Sequence, residues 1–450
     1  MDARFLAHNI HKHDSRNFQE LDSHLCKLKQ SKYVHVPVLL EQLPINVAGL
    51  YTLTGGSLTG KTTLLKLWMA KLLADGIPGE AITFFPAELI KDSEDLIHLL
   101  QIQLKDKPSD MTQYILIDDV THLRDWDNAI KLTADAGLLD HAIILLTSSD
   151  KTIDKKLQVH FPNRDNETKK INFQIYPLTF HESVSLKHPH LPVTEINLFK
   201  EFNDYLLHGG YLVAMNDIAI HGQISDETLK TYSDSLRKEV LKHGKQEHFF
   251  REILTAIIKH YYRPITWNRL SQELSINHPK TIGNYITLLE SLDAVFIQSA
   301  LLEEKMIAAP KKARKLMFTD PFIFHAIKAW LHPPHKNAFE AEIKPSLDDP
   351  ELCSTLVKAC ATTHYRRYYP TYYIKAEGEI DLAYLYEQRF WPVVITWTNP
   401  LRTKDLKQIL KYHNGKFLTK ALRSGIIEHI RTEPLPQALW KLDEKHRKNS

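Results

Sequence analysis

The sequence predicts an α/β protein whose first large domain carries a phosphate-binding loop on a parallel sheet. A GxxxxGKT motif at Gly55–Thr62 follows a strand-like stretch and precedes a helical one. A continuous apolar run, Tyr114–Ile117, then ends in two aspartates. Further apolar runs alternate with helical patterns along this part of the chain, which is typical of a parallel sheet covered by helices.

The glycine-rich stretch has the neighbours that a nucleotide-binding loop requires. Ala48–Leu53 is apolar and β-prone, and Leu64–Leu73 is apolar at helical spacing. Such a P-loop surrounds a triphosphate with backbone N–H groups, and its lysine, Lys61, is expected to contact the β- and γ-phosphates. Thr62 is expected to hold Mg²⁺. The predicted ATP-binding residues are Gly55, Gly56, Ser57, Leu58, Thr59, Gly60, Lys61, Thr62 and Thr63.

Two later strands are predicted to complete the site. Asp118 ends one of them and is expected to hold Mg²⁺, and Asp119 occupies the position where many P-loop ATPases carry a water-orienting glutamate. Aspartate is one methylene shorter, which favours slow hydrolysis. Thr147 and Ser148 end a second apolar run, where a γ-phosphate sensor is expected. Ligands of parallel sheets bind at the carboxyl ends of the strands, so these groups should meet.

Arg164 lies in a polar loop and leaves two alternatives open. It could act in trans as an arginine finger on the nucleotide of a neighbouring subunit, or it could be a solvated surface residue.

Composition places the chain among globular proteins. Its 450 residues suggest about three domains, and a net charge of +3 neither requires nor excludes nucleic acid. Three scattered cysteines fit a reducing compartment. The sequence contains no apolar run long enough to span a membrane and no signal-peptide pattern at its start, so we expect a cytoplasmic protein without membrane association.

Changes in pattern along the chain suggest five regions. Residues 1–47 are an entry segment, with an amphipathic helix around Asn17–Ser31, that we expect to pack on the nucleotide domain. The remaining regions are a P-loop ATPase core at 48–182, a helical lid at 183–245, a winged helix at 246–330 and a C-terminal α/β region at 335–450.

The winged-helix prediction rests on the order helix, helix, short turn, helix and hairpin. Basic residues on the third helix and the wing suit DNA phosphates, although such a module can also be purely structural. The candidate DNA-binding residues are Lys280, Thr281, Asn284, Lys311, Lys312, Arg314 and Lys315.

Several blocks together resemble AAA-type P-loop ATPases that carry a C-terminal domain of uncharacterised function, with a winged helix and a PD-(D/E)XK nuclease-like module. The resemblance runs from about residue 30 to 415. The matching stretches are Gly55–Thr63, Ile115–Asp119, Leu145–Ser149, Tyr176–Glu182, Tyr205–Tyr211, Lys315–Pro321 and Gly378–Asp381. It implies a restriction-nuclease-like α/β fold for the last region and places Arg164 at a candidate arginine-finger position.

The chain departs from this family at both candidate sites. Ser57-Leu58 stands where the P-loop usually has an arginine, and Asp119 replaces a glutamate. In the nuclease-like module Asp381 is present, but Thr396–Thr398 occupies the E-x-K place and Ser354 the place of a helix glutamate. A metal site that activates water needs those groups, so we expect a catalytically inactive, degenerate nuclease fold.

The sequence therefore favours an ATPase motor that acts on DNA as a homo-oligomer, for which a ring is one expected arrangement, with ATP and Mg²⁺ at its P-loop. The alternative is a slow nucleotide-dependent switch or scaffold of the signalling-ATPase type, which Asp119 favours. A DNA nuclease is a distant third.

Overall fold

The computed structural model describes residues 2–105, 111–161, 170–334, 337–398 and 401–447. The chain forms two compact units, one of Met1–Tyr176 with Ser291–Asp293, and one of Pro177–Glu290 with Ala294–Ser450. Among the helices of these described ranges, none has the combined length and apolar character that crossing a membrane requires.

The first unit alternates strands and helices after two short helices. Its helices are α1 (Phe18–Leu21), α2 (Ser23–Gln30), α3 (Lys61–Ala74), α4 (Ser93–Leu104), α5 (Trp126–Asp135) and α6 (Ile153–His160). Its strands are β1 (Gly49–Thr54), β2 (Ile82–Pro86), β3 (Gln113–Asp118), β4 (Ala142–Ser148) and β5 (Asn172–Gln174).

These strands form one parallel sheet in the order β2-β3-β4-β1-β5. The P-loop strand β1 pairs with β4, with Leu53 opposite Thr147, and β4 pairs with β3, with Leu146 opposite Ile117. The strand that ends in Thr147 thus lies between the P-loop strand and the strand that ends in Asp118. All three carboxyl ends meet at one edge, as the sequence predicts.

The central strands are buried on both faces, which explains their continuous apolar runs. On one face Leu116 and Leu145 belong to a core with Trp68 of α3. On the other face Ile117 belongs to a core with Ile130 of α5. Full burial of such a side chain contributes roughly 1.5–3 kcal/mol, so the two cores hold the strand ends in place.

The N-terminal segment covers β2, the edge strand of the sheet. Asn9 pairs with Phe84 in both directions, because its Nδ2 donates to Phe84 O at 2.8 Å and its Oδ1 accepts from Phe84 N at 2.8 Å. His11 Nε2 lies 3.0 Å from Ile82 O. The predicted helix around Asn17–Ser31 is interrupted at Asp22, whose carboxylate caps α2 instead.

The second unit begins with helices and continues with strands and further helices. Its helices are α7 (Phe180–Lys187), α8 (Leu198–His208), α9 (Leu212–His221), α10 (Asp226–Lys242), α11 (Glu247–Lys259), α12 (Trp267–Glu273), α13 (Pro279–Ser291), α14 (Pro321–Leu331), α15 (Pro350–Arg366), α16 (Thr403–Ile409) and α17 (Leu435–Arg447). Its strands are β6 (Pro264–Ile265), β7 (Val295–Ser299), β8 (Leu301–Leu302), β9 (Ile307–Ala308), β10 (Arg314–Phe318), β11 (Thr371–Lys375), β12 (Glu379–Tyr386), β13 (Arg389–Thr396), β14 (Lys416–Thr419), β15 (Gly425–Ile427) and β16 (Ile430–Pro434).

Two sheets dominate this unit. Strands β6, β10 and β7 form an antiparallel sheet in that order. In the chain, β6 follows α11, and α12 and α13 lie between β6 and β7. Strands β11, β12 and β13 form an antiparallel meander that follows α15, and β14 and β16 then add parallel strands.

The helices of the predicted lid share a core with the C-terminal region. Val184, Phe202 and Tyr205 of α7 and α8 belong to one buried cluster with Cys360 of α15 and Leu439 of α17. The first unit ends at Tyr176, six residues before the predicted end of the ATPase core at 182. The other predicted boundaries, inside the second unit, stay predictions.

Candidate functional site

The P-loop joins β1 to α3 through two positions that only glycine fits well. Gly60 has φ of 98°, a left-handed conformation that side chains disfavour. At Gly55 a Cβ would lie 2.4 Å from the backbone oxygen of Ile175. The motif glycines are therefore required by the backbone path that leads into the helix.

Lys61, the first residue of α3, folds back over this loop. Its Nζ donates to Gly55 O at 2.8 Å and Gly56 O at 2.9 Å. It also donates to Ser149 Oγ at 3.1 Å, just beyond the end of β4. The ammonium group is thus held over the loop whose N–H groups are the expected phosphate ligands.

Asp118 is the centre of the site. One carboxylate oxygen accepts from Thr62 Oγ1 at 2.6 Å and the other accepts from Thr147 Oγ1 at 2.6 Å. Asp119 N donates to Thr147 Oγ1 at 2.8 Å. The structure thereby brings together the predicted magnesium ligands and the predicted sensor threonine.

Asp119 has a left-handed backbone, with φ of 54° and ψ of 54°. Its Oδ1 accepts from Thr121 Oγ1 at 3.2 Å, and His122 Nε2 lies 3.1 Å from its Oδ2. Ser148 Oγ accepts from Asp150 N at 2.9 Å and lies 3.4 Å from Thr121 Oγ1. The sequence analysis did not single out Thr121 or His122, although both follow Asp119 within three residues.

The donor atoms around Asp118 suit a magnesium ion. Mg²⁺ prefers hard oxygen ligands and binds proteins through one or two such groups together with substrate phosphates. Here a carboxylate and the hydroxyl of Thr62 lie in contact, beside a phosphate-binding loop. These residues therefore fit the ion that the sequence predicts.

A cavity of about 440 Å³ opens beside these groups, within the first unit. Its floor is formed by the site itself, and the N-terminal segment contributes one wall. The lining residues are Ala7, His8, Asp22, Ser23, His24, Thr62, Lys66, Phe84, Pro86, Ala87, Glu88, Asp118, Asp119 and His122.

Lys66 and Asp22 form a buried ion pair in that wall. Lys66 Nζ lies 2.9 Å from Asp22 Oδ2, and both side chains are only 4% exposed. Burial lowers the pKa of Lys66 below its ordinary value, while Asp22 opposes this effect. The sequence analysis missed Lys66, yet it follows Thr62 by four residues and so lies on the same helix face.

The predicted DNA-binding residues lie in the second unit, on α13 and before or on β10. Lys280 and Asn284 are exposed on α13, and Thr281 is half-buried there. Lys311 and Lys312 are exposed before β10.

The structure corrects the prediction for Lys315, which is fully buried and pairs with Glu379 at 2.7 Å. A charge held in this way is not available to DNA phosphates. Its neighbour Arg314 is half-buried, with its guanidinium 5.2 Å from the centre of the Trp267 ring.

Two acidic residues of the C-terminal region, Glu379 and Asp381, are held by lysines. Glu379 also pairs with Lys375 at 2.8 Å. Burial works to raise the pKa of Glu379, but Lys315 and Lys375 outweigh it and bring the pKa down to about 2. Asp381 accepts from Lys358 Nζ at 2.8 Å and from Ile395 N at 2.8 Å.

The predicted arginine finger, Arg164, and residue 335, the predicted start of the C-terminal region, lie outside the described residues. Arg164 accordingly stays a prediction.

Two family matches cover separate stretches of the chain. Residues 48–184 match a family described as an AAA domain. Residues 199–332 match a domain of unknown function, DUF8612. No curated protein matches the chain.

Several solved structures are similar in overall path. A Walker-type ATPase of Pyrococcus abyssi has 14% identity and a TM-score of 0.42, over 62% of this chain and 91% of that one. The Aeropyrum pernix ORC2 protein has 12% identity and a TM-score of 0.36, over 64% and 88%. The Thermotoga maritima RuvB Holliday junction branch migration motor has 16% identity and a TM-score of 0.29, over 58% and 85%.

The family match agrees with the geometry of the first unit. It spans the P-loop, Asp118 and the sensor strand β4, which the parallel sheet brings to one edge. Residues 48–184 are therefore an AAA-type P-loop ATPase domain.

Proposed function

We propose that this protein is a magnesium-dependent ATP hydrolase that works on DNA. The observation that supports ATP hydrolysis is the contact of Thr62 and Thr147 with the two carboxylate oxygens of Asp118. Lys61 lies over the P-loop in the same site. These groups converge although they come from three different strand ends.

Each residue has a role in this mechanism. The P-loop N–H groups and Lys61 bind the phosphates and stabilise the charge that develops during transfer. Thr62 and Asp118 would hold Mg²⁺, which would neutralise phosphate charge when bound. Thr147 donates a hydrogen bond to Asp118 and accepts one from the backbone N–H of Asp119, so it holds both the carboxylate and the start of the following turn. Asp119 orients the attacking water, and the surrounding cavity gives that water space beside Thr62 and Asp118.

The hydrolase proposal is tested with the full chain by steady-state phosphate release from ATP. Turnover should require Mg²⁺ and stop when a chelator removes it. Turnover that persists at full rate in chelator would contradict the roles of Thr62 and Asp118.

The DNA part of the proposal rests on the second unit. The order β6-β10-β7, with α12 and α13 between β6 and β7 in the chain, supports a winged helix. Exposed Lys280 and Asn284 on its third helix, and exposed Lys311 and Lys312 before β10, support phosphate contacts.

We also propose that the C-terminal region is an inactive nuclease-like fold. Its order of α15, the meander β11-β12-β13, α16 and parallel β14 supports the family resemblance. The ion pairs of Glu379 and Asp381 support inactivity, because lysines already neutralise both carboxylates. Metal-dependent DNA cleavage by the protein that disappears in Asp381→Ala would refute this assignment.

A slow nucleotide-dependent switch is the second candidate, and the short side chain of Asp119 favours it. Particle size and DNA binding separate the two. A motor should form a larger oligomer with ATP and Mg²⁺, bind duplex DNA at low salt and change its turnover when DNA is added. A switch should bind nucleotide, turn over slowly and ignore DNA.

A further inference from the structure

The turn after β3 places an imidazole against the short carboxylate of Asp119. Residues 120–122 form a single 3₁₀ turn, and His122 N donates to Asp119 O at 3.0 Å. The same turn brings His122 Nε2 to 3.1 Å from Asp119 Oδ2. Thr121 Oγ1 donates to Oδ1, so the carboxylate is held from both sides.

The pair faces the space where hydrolysis would occur. Asp119 and His122 both line the 440 Å³ cavity together with Thr62 and Asp118. Their side chains are 31% and 35% exposed, so water reaches both. The cavity also contains the imidazoles of His8 and His24, but His24 Nε2 is engaged with Thr63 Oγ1 at 2.8 Å.

One ring nitrogen of His122, Nε2, lies beside the carboxylate of Asp119. When Nε2 carries the proton of the neutral ring, Nδ1 is the acceptor, and when both nitrogens are protonated, the ring forms an ion pair with Asp119. A neutral imidazole beside a carboxylate is suited to accept a hydrogen bond, and then a proton, from water, because the carboxylate stabilises the protonated ring.

We propose that His122 is a second water-orienting residue, which together with Asp119 performs the task that a single glutamate performs in related ATPases. This inference rests on the proposed hydrolase function. The imidazole extends the reach of a carboxylate that is one methylene too short. His122 then has a catalytic role, although it lies outside the P-loop and outside the pair Asp118-Asp119.

In the proposed step, the water oxygen forms a bond to the γ-phosphorus while the bond from that phosphorus to the β–γ bridging oxygen breaks. ADP leaves with the bonding electrons on its terminal phosphate oxygen. The water proton passes to Nδ1 of His122 and then to solvent, and Asp119 stabilises the transient imidazolium. The products are ADP and inorganic phosphate.

The test combines two substitutions in the full chain and measures turnover and nucleotide affinity. His122→Ala should lower kcat by about 100-fold, the lower end of the range expected for a positioned acid–base group. Affinity for ADP should change by less than about twofold, because the contacts that the structure gives for His122 are with Asp119 and not with the P-loop. His122→Gln, which keeps a hydrogen-bonding amide, should lose less.

The decisive measurement is the effect of His122→Ala when Asp119→Glu is also present. A glutamate reaches the water by itself, so the loss caused by His122→Ala should shrink to less than about threefold. A histidine that only supports the local fold would cause the same loss in both backgrounds. His141→Ala, at an exposed residue just before β4 and at the opposite end of that strand, is the matched control and should keep full turnover.

The outcomes separate the inference from the function on which it rests. Full turnover in His122→Ala, or an equal loss in the Asp119→Glu background, would overturn the role of His122 and leave the hydrolase intact. If His122→Ala does not fold, His122→Gln in both backgrounds decides in the same way. An unmodified chain that binds ATP and Mg²⁺ but releases no phosphate would overturn the hydrolase proposal itself.

Discussion

Two clusters of carboxylates in this molecule have different hydrogen-bonding partners. In the ATPase domain Asp118 receives hydrogen bonds from two threonine hydroxyls. In the second unit Glu379 and Asp381 receive lysine ammonium groups, one of which, on Lys315, is completely buried. Hydroxyls leave the negative charge of a carboxylate in place, whereas a paired ammonium cancels it. Asp118, in the first cluster, can therefore still attract a cation, whereas Glu379 and Asp381, in the second, form ion pairs within the protein.

The largest expected effect concerns Lys61, the P-loop lysine of the ATPase domain. Lys61→Ala should reduce ATP turnover by at least about 100-fold, because it removes the charge that stabilises the transferring phosphate. Lys71→Ala is the matched control on the same helix, since Lys71 pairs with Glu41 near the helix end. Normal turnover in Lys61→Ala would contradict the P-loop assignment.

The next prediction compares one aspartate from each cluster. Asp118→Asn should lower turnover by about 100-fold, since the amide removes the charge that holds the metal. Asp381→Asn should leave ATP turnover unchanged and affect only the stability of the second unit. Phosphate release and thermal unfolding of both variants measure the two effects. Equal losses of turnover would show that the clusters are not as different as proposed.

A third prediction concerns the buried ion pair of Lys315 and Glu379. Glu379→Gln should lower the free energy of unfolding by roughly 3 kcal/mol, because a fully buried ammonium loses its main partner. Adding Lys315→Met should recover most of that loss, since no unpaired charge stays buried. Urea unfolding of the two single variants and the double variant gives the coupling. Additive losses would show that the pair contributes nothing as a pair.

The pH dependence of the same contact gives a smaller effect. The pKa of Glu379 in the folded chain, about 2, lies below its ordinary value of 4.5. A carboxyl group with a lowered pKa stabilises the fold above its ordinary pKa, and this contribution is lost as pH falls towards the folded value. The stability difference between the unmodified chain and Glu379→Gln should therefore be constant above about pH 5 and shrink between pH 4.5 and 2. A difference that grows on acidification would contradict this sign.

The smallest expected effect concerns the exposed lysines before β10. Replacing both Lys311 and Lys312 with alanine should weaken DNA binding by several-fold and reduce the slope of log affinity against log salt by about two. Fluorescence anisotropy with one duplex at several salt concentrations measures both quantities. An unchanged slope would mean that neither lysine contacts phosphate.

The ATPase domain could be predicted from sequence because its signals are local. The apolar runs that end in Asp118 and Thr147 are continuous, since their strands are buried on both faces. The P-loop needs glycine at positions that the motif itself specifies. The family match at 48–184 confirms the AAA-type assignment.

The errors and omissions come from contacts between distant parts of the chain. Lys315 follows a run of exposed basic residues, and nothing near it indicates that Glu379, 64 positions later, covers it. Nothing in the sequence around Lys66 indicates that Asp22, from the N-terminal segment, forms an ion pair with it. Charge patterns report a solvated face only when no other element packs on it.

The closure of the β2 edge by Asn9 has a consequence for how this domain can be isolated. The side-chain amide of Asn9 forms two hydrogen bonds with the backbone of Phe84, as a sixth strand would. Asp22, from the same segment, forms an ion pair with Lys66, a buried lysine of α3. A fragment cut to the matched range 48–184 would expose a strand edge and leave Lys66 without the carboxylate that pairs with it, and would tend to self-associate. The compact unit that contains the P-loop therefore includes the first thirty residues of the chain, which the family match leaves out.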